Sequence, residues 1–285
     1  MTLLATDLKE GTKVLHAEAG RSKFMKQFFK GEVSLATYGR FLISLYHVYR
    51  TLEKALDQHK ENPQLSLIYF PKELYRVDAL EQDIEFFNGP DWREMLTPIS
   101  PAQQAYISAI ERCASSDTPE LLVAHSYVRY LGDLSGGQVL AKRLQKFNDL
   151  PENQGIAFYQ FDWIEDPDTF KEMYRKRLNQ IEVSEELQQQ LVEEAKGTFL
   201  RNIEMFREFD DDFQVTAMTV QEQTEFLAAL EPARVKLAVE ERARKQGIAN
   251  QHQHQQSSFP SSWHPSVLWN SLAHAVGLSY KNVNP

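Results

Sequence analysis

Residues 120–146, ELLVAHSYVRYLGDLSGGQVLAKRLQK, restrict the fold more than any other part of the chain. Their composition is strongly helical, and Thr118 followed by Pro119 offers an N-cap and a first helical residue. Yet Gly132, Gly136 and Gly137 interrupt the run at its middle. A glycine in a helix interior costs about 1 kcal/mol relative to alanine. Three of them so close together oppose the helix unless something flat or bulky needs the backbone bare. Arg129 and Asp133 are four residues apart with Tyr130 beside them, so ionisable groups adjoin the bare stretch. A kink, a helix crossing or a small-residue contact of the membrane type would also use such glycines. Arg129, Asp133 and the basic end at Lys142, Arg143 and Lys146 exclude a membrane span.

The remaining periodicity is helical throughout, with no strand-alternating run of any length, so an all-α fold is expected. Leu4, Leu8 and Leu15 mark a first amphipathic helix over residues 2–19, with His16 at the edge of its apolar face. Such a histidine is either a hydrogen-bonded packing residue or a metal ligand. Ser34 caps a second helix carrying Phe41, Leu45, Tyr46, Tyr49 and Leu52. A third runs from Pro71 to Phe87, stopped by Gly89 and Pro90, and a fourth starts at Ser100 and Pro101. Residues 150–168 read as a packed aromatic connection containing Phe158, Tyr159, Phe161 and Trp163. Asp166 and Pro167 then open a basic helix, and Ser184 caps a long one bearing Leu191, Phe199, Ile203 and Phe206.

A net charge of −9 argues against general nucleic-acid binding, which needs a basic surface. The single cysteine, Cys113, rules out an intramolecular disulfide, fits a reducing compartment and reads as structural in a loop-like CASSD context. The first residues are too short and polar for a signal peptide, so the chain is expected to face the cytosol.

The motifs YLGDLSGGQVLAKRL and LHAEAG, with SLYHVYRTLE, IYFPKELYRVDALEQD and EAKGTFLRNIEMF between and beyond them, resemble the haem oxygenase family of animals in order and spacing from about Asp7 to about Asp211. The resemblance implies a single multi-helix domain over residues 1–213, with haem b held between a proximal helix and the glycine-kinked distal helix. It makes His16 the iron ligand and gives Lys9, Lys13, Lys171 and Arg175 the haem propionates. Tyr127 and Phe199 become haem-contacting residues. Bare backbone at Gly132 and Gly136 lies against the ring, and Asp133, with Tyr49 and Arg129, organises protons through water. The implied reaction opens haem at its α-meso carbon to biliverdin, Fe2+ and CO, consuming O2 and electrons that NADPH supplies through a flavoprotein cytochrome reductase. Lys142, Arg143, Lys146 and Lys176 would dock that reductase, and a biliverdin reductase would consume the product. One departure concerns the ligand: where the family usually carries a carboxylate four residues after the histidine, this chain has Gly20, and Glu18 faces elsewhere.

Two other classes compete. A di-iron carboxylate bundle requires Glu-x-x-His on two helices, and no histidine here has glutamate three residues before it. A haem carrier without turnover needs the same pocket but no organised acid beside the glycines, so Asp133 separates the two. Beyond residue 213, residues 214–262 read as a partly helical or disordered linker containing NQHQHQQSSFPSS. Residues 263–285 are a short apolar segment interrupted by Asn270, Ser271 and His274. The family usually ends in an endoplasmic reticulum anchor, but a spanning helix needs about 20 apolar residues. Weak, interfacial membrane association is the expectation here.

Overall fold

The computed structural model describes residues 3–210, and the expectations for 214–262 and 263–285 lie outside them. The described residues are all-α. The α-helices are α1 (Leu4–Arg21), α2 (Lys23–Lys30) and α3 (Leu35–Gln58), then α4 (Pro63–Ser66), α5 (Pro71–Leu74), α6 (Val77–Asn88) and α7 (Pro101–Ser115). They continue with α8 (Leu122–Gly132), α9 (Gln138–Asn148), α10 (Pro167–Leu178) and α11 (Glu185–Arg207).

Local chemistry sets most of these boundaries. The hydroxyls of Ser34, Ser100 and Ser184 accept the first-turn N–H groups of α3, α7 and α11, and Asp166 does the same for α10. Each such cap contributes about 1 kcal/mol. Ser100 and Gln103 close a reciprocal capping box. Three expectations change. A separate helix, α2, stands between α1 and α3, capped by Ser22 and closed by Gly31 in the left-handed region. The stretch from Pro71 divides into α5 and α6 at Tyr75 and Arg76, because the Glu53 carboxylate of α3 accepts the Arg76 backbone N–H. Cys113 lies inside α7, buried, rather than in a loop.

Helix α11 packs along α1 on one side and α8 on another, while α3 packs against α6 and α7. Leu8, Leu42, Leu52, Leu80, Ile110, Leu122 and Leu191 are all fully buried where these helices meet. A side chain of that size stabilises by about 1.5–3 kcal/mol when buried. The connection between α9 and α10 is held down rather than loose. Asp83 of α6 accepts the backbone N–H groups of Ala157 and Phe158 at 2.9 and 2.8 Å, and Phe158, Tyr159 and Phe161 are buried. Trp163 departs from this: it is 63 % exposed, with the Lys72 ammonium 3.6 Å above its ring.

Candidate active site

The glycine run does not break the helix. Helix α8 passes into a turn of π-helix, Asp133–Gly137, and out again as α9. The expected α-helix start at Thr118 and Pro119 is instead a 3-10 turn, Pro119–Leu121, with no cap from Thr118. A π-turn inserts a residue into the helical register, so the two halves present different faces. On one face a Cβ built at Gly132 or Gly136 meets nothing within 4 Å. On the other, a Cβ at Gly137 would come within 3.0 Å of the Tyr159 ring, and Gln138 Nε2 donates to the Tyr159 carbonyl at 2.7 Å. The back of the π-turn is therefore packed while its front is bare, with Gly132 exposed although its helix runs through the core.

Asp133 opens the π-turn and is 7 % exposed. Tyr49 of α3 donates to its Oδ2, and an Arg129 guanidinium nitrogen lies 3.6 Å from its Oδ1. Arg129 also donates from Nε to Tyr49 Oη at 3.0 Å and from Nη1 to Asn202 Oδ1 of α11 at 2.5 Å. Burial raises the Asp133 pKa, and the Arg129 charge, the Tyr49 hydrogen bond and the Arg76 charge pull it back down. Burial opposes the Arg129 charge as well, but Tyr49 and Asp133 outweigh it and keep the guanidinium protonated. The result is a carboxylate held by one hydrogen bond and one ion pair, at the edge of bare backbone. Tyr49, Arg129 and Asp133, singled out from the sequence, are thus brought together. Asn202 and Arg76 fall within quoted motifs but were not singled out, because each reaches this network across more than fifty residues of chain.

His16 lies on α1, where its ring meets the edge of Phe199 at 5.8 Å and 80°. The ring is open to solvent, yet the protein around it is dense enough that burial lowers its pKa. Both hold together in a recess, and the lowered pKa favours the neutral imidazole, the form that ligates a metal. Among the described residues no side chain accepts a hydrogen bond from the ring. A Cβ at Gly20, one turn on, would meet nothing, and Glu18 pairs with Arg21 at 3.6 Å. Helix α11 connects the two halves of the site: Phe199 touches His16 and, three residues on, Asn202 holds Arg129.

The cations gather on α1 and α10. The Lys171 ammonium bonds Ser135 of the π-turn at 3.3 Å and Asp168 at 2.8 Å. Tyr127 feels Arg175 and Glu10 and is pushed up to about 12, mainly by burial. Lys13 lies 3.7 Å from Glu10. Lys9 and Arg175 are exposed and in no ion pair among the described residues. The residues present fit haem: a neutral imidazole in a recess, a glycine surface that any Cβ would roughen, and basic side chains for two carboxylates.

A neutral helix-borne imidazole, a bare π-turn and a buried carboxylate network, all arranged around α11, define an all-α protein built around a flat metal-bearing ligand. Comparison with known proteins narrows this. The family model for heme oxygenase matches residues 2–208. Heme oxygenase 1 of Rattus norvegicus is 47 % identical over 206 residues, 72 % of this chain and 71 % of the rat protein. Heme oxygenase 1 of Homo sapiens is 45 % identical over 209 residues, 73 % and 72 % of the two chains. The solved heme oxygenase of Leptospira interrogans superposes with a TM-score of 0.69 at 43 % identity, covering 73 % of this chain and all of that one. Heme oxygenase-2 of Synechocystis sp. PCC 6803, solved with heme and NO, gives 0.70 at 40 % identity, covering 73 % and 85 %. The chain belongs to the haem oxygenase family.

Proposed function

We propose that the protein is an enzyme that degrades haem, opening it oxidatively at the α-meso carbon to biliverdin, Fe2+ and CO, with O2 and with electrons from an NADPH-dependent flavoprotein reductase. Family membership supports the haem-degrading activity, and the buried Asp133 network beside bare backbone carries the reading to this chain's own residues. Haem, as both substrate and prosthetic group, supplies the iron at which oxygen is activated and the ring that is oxidised.

The chain's part is to hold, orient and protonate. His16 ligates through a neutral imidazole, and Phe199 fixes the plane of that imidazole. Lys9, Lys13, Lys171 and Arg175, with Tyr127, form the basic flank for the propionates. Charge-assisted bonds there decide the in-plane orientation and so which ring edge is attacked. Gly132 and Gly136 keep side chains off the opposite flank. Asp133 holds water rather than touching the reacting atoms, because Tyr49 and Arg129 already occupy part of its carboxylate. A proton passed from Asp133 through water would be a milder supply than direct contact with an acid. Exposed Lys142, Lys146 and Lys176 offer a basic face for an acidic electron donor, with biliverdin reductase downstream. No helix of the described residues is long and apolar enough to cross a membrane. A weak association with the cytosolic face of the endoplasmic reticulum would depend on residues 263–285.

The test is absorption spectroscopy with one equivalent of haemin, then with NADPH and reductase under air. Loss of the Soret band with appearance of biliverdin is expected. A Soret band that persists once ferrous haem has formed would mean a carrier. Retention of the wild-type axial-ligand spectrum in His16→Ala would refute the ligand assignment.

A further inference from the structure

We propose that Cys113, His125 and Glu194 form a binding site for a thiophilic divalent cation of the zinc class, separate from the Asp133 network. The three residues lie on α7, α8 and α11, and Cys113 and His125 are 1 % and 0 % exposed. One donor atom from each lies within 4.8 Å of the other two. Sγ is 3.8 Å from Nε2, and Nε2 is 3.1 Å from Glu194 Oε1. With zinc bonds of about 2.3 Å to sulfur and about 2.0 Å to nitrogen and oxygen, a tetrahedral ion sets those edges at roughly 3.5 and 3.3 Å. Both observed edges are thus within about 0.3 Å of the requirement.

The hydrogen bonding points the same way. Thr198 Oγ1 donates to the Glu194 carbonyl at 2.9 Å, leaving its lone pair for the His125 Nδ1–H at 3.2 Å. In the tautomer with the proton on Nδ1, the Nε2 lone pair faces a carboxylate oxygen, an arrangement that a cation between the two satisfies. A ligating imidazole oriented by a hydrogen bond from its other nitrogen is the usual support of a metal site. Cys113 adds a soft third donor that a salt bridge alone would not use.

Binding removes one proton, from the Cys113 thiol, and forms bonds from the ion to Sγ, Nε2 and the carboxylate. Thiolate and carboxylate then balance the ion's two charges, and no electron is transferred. Because binding releases a proton, occupancy rises with pH. Arg112 and Arg201, on Glu194 at 3.2 and 3.1 Å, lose that attraction once the core is neutral. Arg112, with 59 % of its side chain exposed, swings to solvent.

The test uses the haem-free full chain with Co2+ as probe. Because Cys113 is the only cysteine, a thiolate-to-cobalt charge-transfer band reports this site, whereas histidines elsewhere give none. The expected result is a band saturating at one equivalent, abolished in Cys113→Ser and weakened about tenfold or more in Glu194→Gln. Zn2+ should displace the cobalt and raise the melting temperature of the wild type but not of Cys113→Ser, whose fold is checked by circular dichroism. Cobalt binding without the band would overturn the proposal. So would absence of the band both when Co2+ is added to folded protein and when it is present during refolding, or a band unchanged in His125→Gln.

Discussion

Asp133 accepts a hydrogen bond from Tyr49, and removing that donor or the carboxylate itself has separate effects. Tyr49→Phe keeps the ring and deletes the hydrogen bond that holds the carboxylate pKa down. A hydrogen bond to a charged group is worth about 1.5–3 kcal/mol. The ionised carboxylate is present only above its pKa, so the acid limb of the kcat/KM profile for haem turnover should move to higher pH. Asp133→Ala removes the carboxylate itself. Haem affinity should change little, since Lys9, Lys13, Lys171, Arg175 and His16 are untouched, while biliverdin yield falls at least about tenfold as a proton relay is lost. Unchanged biliverdin yield in Asp133→Ala would contradict the relay.

The π-turn makes a prediction of the opposite sign for stability and for binding. A Cβ at Gly136 meets open space, and alanine is worth about 1 kcal/mol over glycine in a helix interior. Gly136→Ala should therefore raise the melting temperature of haem-free protein yet weaken haemin binding in a Soret titration. Gly137→Ala, whose Cβ would press on Tyr159, should show no such gain. These glycines were legible as an anomaly because their cost is local, and so were the caps at Ser34, Ser100, Asp166 and Ser184. Helix α2 was harder to see: it is eight residues long and separated from α1 by one residue, so its periodicity merges with its neighbour's. The break at Tyr75 and Arg76 was invisible because it depends on Glu53, more than twenty residues earlier. The site divides in the same way. Asp133, Arg129 and the glycines share one motif, whereas Asn202 joins them only through the packing of α11 on α8.

At the scale of the whole molecule, burying polar groups links folding to pH. Glu53 is 6 % exposed and burial pushes its pKa up to about 8; Asp83 rises to about 6 for the same reason. A carboxyl raised in the folded state binds its proton more tightly there than in the unfolded chain. Its contribution is therefore full below the unfolded pKa, near 4.5 for Glu53, and is lost as pH rises through about 8. Glu53→Gln keeps an oxygen for the Arg76 N–H and removes the titration. In denaturant titrations the variant should gain on the wild type between pH 5 and pH 9, by on the order of 3–5 kcal/mol. A constant difference across that range would mean that Glu53 stays ionised in the folded protein. The closure of Tyr49, Arg129, Asp133 and Asn202 has a consequence of another kind. Protons crossing so enclosed a junction travel along a small, countable set of exchangeable hydrogens rather than through bulk solvent. Biliverdin formation measured in mixtures of light and heavy water should then follow a bowed curve, with more than one isotopic site in flight, and Tyr49→Phe should straighten it.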